Sequence, residues 1–153
     1  MATRAAGTMV RRIAWMLAIG GALLFAALAA ALLSGETRIR IPAIAALVTF
    51  AMIILAHLGG IEWGLALRDG TGTDATRAIA LVISILPALA AWGIFWLPSP
   101  QWQVGAAAIL FLAVWGADLW LARQGLLPAW FVDLRTAVTA AVVVILGIAF
   151  FLL

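Results

Sequence analysis

The sequence has no cysteine, no lysine and only one histidine, His57. Without cysteine there is no disulfide framework, no thiolate metal site and no cysteine nucleophile. A single histidine also excludes, within this chain, a metal site built from several His and Cys ligands. Charge is scarce too. Only 10% of the 153 residues are charged, against about 25% in an ordinary water-soluble domain. The nine basic residues are all arginines, and with six acids they leave a net charge of +3. They are scattered between apolar runs rather than gathered on one face, which speaks against nucleic acid as a partner.

What is present is apolar. Hydrophobic residues make up 67% of the chain, more than one small globule can hide from water, so the expected surroundings are membrane lipids. A helix needs about 20 apolar residues to cross the hydrocarbon core. Five runs qualify, at about 13–33, 41–67, 76–97, 102–122 and 137–153. The breaks between them, "SGETRIRIP", "RDGTGTD", "LPSPQ" and "RQGLLPAW", carry turn chemistry. The runs lack the alternation of apolar and polar residues that a membrane β-barrel requires. The expected fold is therefore all-α: a polytopic helical bundle forming one membrane domain over residues 1–153. The first run is longer than the roughly 7–15 residues of a signal-peptide core, and reads as a retained span.

Orientation follows from the arginines, which concentrate on the cytoplasmic side. With the N-terminus inside, Arg4, Arg11, Arg12, Arg68, Arg77, Arg123 and Arg135 lie inside, and only Arg38 and Arg40 lie outside. Tryptophan, which favours the two interfaces, agrees. Trp92, Trp96 and Trp102 fall at the outer boundary, and Trp15, Trp63, Trp115, Trp120 and Trp130 at the inner one. The expected topology is N-in, C-out.

Polar groups inside lipid are costly unless paired or wetted. The stretch "AHLGGIEWGLALRDG", residues 56–70, holds two of them. At 1.5 Å per residue, His57 lies roughly 15 Å from Leu67, near the midplane, and Glu62 on the order of 7 Å from the same end. Asp118 reaches a depth similar to that of Glu62 on the fourth run. Asp133 and Arg135 come just before the fifth, and Arg68 and Asp69 close the second. Pairing of Asp118 or Glu62 with Arg135 is expected. Two readings stand: an ion-pair ring that fixes helix register, or a polar pocket open to the cytoplasm. His57 and Glu62 sit about 140° apart around a helix, so they do not share a face. For His57 the options are a hydrogen bond to a neighbouring helix, an indirect proton relay with Glu62, or lone axial ligation of a haem or chlorin. Nothing else marks a tetrapyrrole pocket, and no cofactor is expected.

Ala56, Gly60 and Gly64 recur every four residues, a spacing that lets another helix approach closely. Gly59 beside Gly60 suggests a local kink. On the third run Pro87 removes a backbone bond, and Ser84 is placed to take up the freed carbonyl.

Several stretches, in order, resemble a family of small membrane proteins found in proteobacteria and mitochondria that includes transmembrane protein 69. "ILAHLGGIEWGLAL" resembles its FLGG-x-x-WG-x-AL signature, "ILPALAAW" its P-x-L-x-AW helix, and "GADLWLARQGLLPAWFVDLRTAVTA" its C-terminal segment. The likeness covers roughly residues 13–150. Gly59, Gly60, Trp63, Gly64, Asp118, Pro128, Trp130 and Arg135 match its motifs. "ALLF" at residues 22–25 stands where the family often has "LIPF". The positions of His57 and Glu62 are commonly Ser and His or Arg in the family. The resemblance implies a multi-spanning protein of the bacterial inner or mitochondrial inner membrane, and no activity.

The expectation for function is a non-catalytic protein of the bacterial inner membrane. It would be an accessory or assembly subunit packed against other membrane proteins or against copies of itself. The alternative is a small-molecule or proton-translocating protein with a polar pocket near the cytoplasmic side, its candidate residues being His57, Glu62, Asp118 and Arg135. Enzymatic action on lipid or quinone is disfavoured, because nothing pairs Ser34, Ser84 or Ser99 with His57 as a nucleophile needs.

Overall fold

The computed structural model describes residues 2–68 and 72–153, with side chains from Gly7 onward. Asp69 and the side chain of Arg4 lie outside the described residues. Among the described residues there are five helices and no strand: α1 (Ala2–Ala31), α2 (Thr37–Ala66), α3 (Asp74–Ile94), α4 (Pro100–Arg123) and α5 (Ala129–Leu152). All five are long and apolar enough to cross a membrane.

The ends of the helices follow local chemistry. Thr73 and Ser99 cap α3 and α4 by accepting from the backbone N–H of Thr76 and Trp102, and Pro100 occupies the first turn of α4. α4 is closed off by Gly125, two residues past its end, whose φ of 78° only glycine adopts readily. There the Leu126 N–H reaches back to Leu121 O and the Gly125 N–H to Ala122 O, the paired bonds of a Schellman turn. Other carbonyl ends are closed by neighbouring helices. The Arg77 Nε donates to Ala66 O at 2.8 Å, the Arg40 Nη2 to Leu152 O at 2.8 Å, and the Gln103 Nε2 to Phe95 O at 3.1 Å. At membrane depth such partners replace the water that would satisfy these groups.

All five helices begin before their apolar runs, and two begin much earlier. α1 extends back to Ala2 rather than starting near residue 13, and α5 starts at Ala129 rather than near 137. Pro128 stands as the residue before the first turn of α5, where its fixed φ favours a helix start. Apolar content marks what lies in lipid, not where helical backbone begins. The result is that Asp133 and Arg135 belong to α5 itself instead of preceding it.

The helices alternate in direction. One end of the bundle gathers the start of α1, the end of α2, the start of α3, the end of α4 and the start of α5; the Arg11 guanidinium lies 5.7 Å from the centre of the Trp130 ring there. This arginine-rich end also carries Arg68, Arg77 and Arg123. The core is built around Phe25, Leu47, Leu55, Phe111 and Leu146, all at most 2% exposed. Phe25 touches both Phe50 and Phe111, with ring centroids 4.8 and 5.9 Å apart.

α1 is the outlying helix. Only 11% of its span is buried, against 28–39% for the other four. Its backbone comes close to α2 and α5 only, among the described residues, and it reaches α4 through the Phe25 ring on Phe111. Its buried side chains, Phe25 and Ala29, lie in its second half, and the buried Leu32 follows just past its end. Between α2 and α5 no pair of Cα atoms comes within 8 Å. α4 fills that gap on one side, and α1 bridges it on the other.

Candidate functional site

Three charged side chains meet inside the bundle at the arginine-rich end. Counting 1.5 Å per residue from the helix ends, Glu62, Asp118 and Arg135 lie about 6–9 Å in from that face. Each is buried: Glu62 to 1%, Asp118 to 3% and Arg135 to 6% exposure. The Arg135 Nε donates to Asp118 Oδ2 at 2.6 Å, tying α5 to α4. Asp118 is thus the partner of Arg135. Glu62 stands beside this pair, with Asp118 and Arg135 as the charges that act on it. Neither of its oxygens has a hydrogen-bond partner among the described residues. Such a carboxyl is incomplete. It calls for a proton, a cation or a donor to satisfy it, because a buried unmatched acceptor costs about 1–3 kcal/mol and a charged one more.

Two further buried polar atoms are unmatched. They are the Arg135 Nη2 and, one turn along α5, the Thr139 Oγ1. Both residues border a cavity of about 300 Å³ between α1, α2 and α5, the gap where α2 and α5 stand apart, but the unmatched atoms themselves are buried away from it. Its walls are otherwise apolar, from Phe25, Ile61, Phe111, Leu134 and Val138 among others. The α1 side combines the small Ala14, Ala18, Gly21 and Ala22 with Leu17 and Phe25.

His57 also lines this cavity, but it is exposed. It forms no hydrogen bond or ion pair among the described residues. The expected bond to a neighbouring helix is therefore not there. Glu62 does not line the cavity, since it faces α4 from the other side of α2. The two residues are separated as their angular spacing requires, and the cavity joins His57 to Arg135 and Thr139 instead.

The small-residue stripe faces outward. Ala56, Gly60 and Gly64 are exposed, and a Cβ placed on Gly60 or Gly64 would meet no atom within 4 Å. Among the described residues no helix packs on Gly60 or Gly64. The close approach is at Gly59, which is buried. A Cβ there would overlap the Ser84 carbonyl oxygen and stand 3.6 Å from Pro87 Cδ. The four-residue spacing is real, but the surface of α2 pressed on α3 lies about 100° to one side of it. Ser84 also differs from expectation. Its hydroxyl donates to Leu81 O at 2.7 Å, whereas Pro87 frees the carbonyl of Ile83, four residues back.

Thr139 and the cavity itself are the parts that sequence reasoning missed. The available signals were the hydroxyl one turn after Arg135 and the repeat of Ala14, Ala18 and Ala22 along one side of α1.

A bundle of five apolar helices enclosing a small polar cluster defines a multi-pass integral membrane protein. The chain belongs to the family described as Protein of unknown function (DUF3429), whose model matches residues 10–151. No curated protein and no solved structure matches it.

Proposed function

We propose that the chain is a non-catalytic accessory or assembly subunit of the bacterial inner membrane, akin to the family that includes transmembrane protein 69. The observation that carries this reading is the open stripe on α2. Ala56, Gly60 and Gly64 are exposed, and among the described residues nothing stands against Gly60 or Gly64. In lipid, where apolar burial drives nothing, small residues at this spacing favour close helix contact. The occupant is a helix of another membrane protein or of a second copy. Purification in mild detergent followed by native electrophoresis tests this. The wild-type chain is expected to run in a larger complex, and Gly60→Leu with Gly64→Leu to release it. A wild-type chain that runs alone overturns the proposal.

A second reading, proton or small-molecule translocation, draws on Glu62 and its two unmatched oxygens. Against it stands the other half of the bundle. There Leu47, Val48, Ala51, Val104, Ala107, Leu146 and Ala149 form a buried apolar plug. A path across the membrane has to be opened through that plug. Proteoliposomes with a trapped pH dye decide between the readings. Proton flux lost in Glu62→Gln favours translocation, and absence of flux in the wild type favours the accessory role.

A further inference from the structure

We propose that the cavity between α1, α2 and α5 seats an acidic phospholipid, with one acyl chain lying in it and the phosphate held at its mouth by Arg11 and Arg68. The site is separate from the subunit contact on the Ala56, Gly60 and Gly64 stripe. That stripe lies roughly 110° around α2 from Ile54, His57, Leu58 and Ile61, which line the cavity.

Shape points to the chain. On α1 the lining runs from Ala14 to Phe25, and on α5 from Phe131 to Val142. Each stretch climbs about 16 Å at 1.5 Å per residue. One leaflet of the roughly 30 Å hydrocarbon core is about 15 Å deep. The cavity thus has the length of one acyl chain in one leaflet, and it runs as such a chain does, from the arginine-rich end toward the middle of the bundle. Spread over that length, its 300 Å³ gives a cross-section of roughly 20 Å², about a quarter of what a helix 10 Å across requires. A partner helix does not fit there, and a single hydrocarbon chain does. Leu17 belongs to the lining and is 73% exposed, so the cavity opens sideways to lipid.

Charge points to the head. Arg11 precedes Ala14 by three positions and Ala18 by seven, which places it on the cavity face of α1, about 5 Å beyond Ala14. Its guanidinium lies 5.7 Å from the centre of the Trp130 ring, and Trp130 is the neighbour of Phe131 in the lining. Two independent relations therefore put Arg11 at the mouth. No carboxylate pairs with it among the described residues. Arg68 follows the end of α2, seven positions after Ile61. The exposed acids of this end, among the described residues, stand elsewhere. Asp133 is about 180° around α5 from the cavity, and Asp74 opens α3, which does not border it. A guanidinium offers a planar fork of donors that matches phosphate oxygens, and tryptophan beside it suits headgroup depth. The net negative charge of an acidic lipid, absent from a zwitterionic one, is what two arginines select.

The test offers the full chain in detergent equal amounts of phosphatidylglycerol and phosphatidylcholine with the same acyl chains, and counts bound lipid by native mass spectrometry. One phosphatidylglycerol per chain is expected, in preference to phosphatidylcholine. Arg11→Gln should weaken phosphatidylglycerol binding about fivefold and leave phosphatidylcholine unchanged. Arg12→Gln, about 150° around α1 from the cavity, should change neither. Ala18→Leu fills the cavity and should abolish retention of both lipids. The unaltered chain gives a second reading of location: phosphatidylglycerol with a diazirine near the end of its acyl chain should label α1 near Phe25 or α5 near Val142. Phosphatidylcholine held as strongly as phosphatidylglycerol overturns the proposal, as do equal losses from Arg11→Gln and Arg12→Gln. Label confined to α3 or α4 overturns the location. A chain that retains no lipid, yet pairs with a second copy until Ala18→Leu is introduced, gives the cavity to that copy and overturns the lipid.

Discussion

At the scale of the residue, Gly59 and Gly60 are neighbours with opposite environments. Gly59 faces the Ser84 carbonyl, a backbone atom that cannot swing aside. Gly60 faces away from the chain. Gly59→Ala should therefore destabilise the protein by about 1–3 kcal/mol, the usual penalty of overpacking. Gly60→Ala should be neutral or stabilise by up to about 1 kcal/mol through better helix propensity. Unfolding in mixed micelles with increasing SDS measures both, and equal effects would refute the assignment of α2's contact face. Glu62 makes a different case. Its unmatched oxygens contribute a cost to the fold, so Glu62→Met, which keeps the volume apolar, should raise stability by about 1–3 kcal/mol. A loss of stability in the same assay would show that Glu62 has a partner holding the bundle together. The sequence displays both glycines and the carboxylate plainly, and their approximate depths. Which glycine meets a neighbour depends on the rotation of α2 about its own axis. That rotation is set by α3 and α4, so it is not a local property of the stretch.

At the scale of the element, the Arg135–Asp118 bond fastens α5 to α4 at a depth where water does not compete well. Pairing of these two types at this depth is legible from the cost of an isolated charge in lipid, and the choice of Asp118 over Glu62 is not. That choice depends on α4 standing between α2 and α5. Removing one partner strands the other. Asp118→Asn should thus cost about 3–5 kcal/mol. Replacing both, as Asp118→Leu with Arg135→Met, should cost clearly less than Asp118→Asn alone, because no unmatched charge is left. The double-mutant cycle in the same unfolding assay reads the coupling directly. Additive effects would mean that the bond contributes nothing to holding the helices. Element boundaries show the same division between local and tertiary information. Turn residues such as Gly125 and Ser99 place the ends of α4 from sequence. The start of α5 is hidden, because Trp130, Asp133 and Arg135 look like a polar loop until they are wrapped into a helix that α4 and α1 cover.

At the scale of the molecule, the alternation of five helices gives the two ends different charge. Arg11, Arg12, Arg68, Arg77 and Arg123 mark one end, and Arg38 and Arg40 the other. Arg135 adds little to this contrast, because it is buried and held by Asp118. Arg40 is likewise engaged, capping the last turn of α5 at Leu152. The positive charge that orients a membrane protein is greater at the end holding the start of α1, with these five arginines against Arg38 and Arg40. Because cytoplasmic loops carry the excess of arginine, that end should face the cytoplasm and the C-terminus should face out. Alkaline phosphatase fused after Leu153 should be active, and the same enzyme fused in the α4–α5 turn after Gln124 should not. The reverse pattern would turn the bundle over and move the Glu62, Asp118 and Arg135 cluster to the outer side. Removing charge gives the finer test. Arg4→Ala, Arg11→Ala, Arg12→Ala and Arg123→Ala together leave Arg68 and Arg77 against Arg38 and Arg40, a tie once the buried Arg135 is set aside. A mixed population of orientations should then appear, with both fusions partly active. A single orientation surviving that tie would mean that helix packing, rather than loop charge, sets the topology.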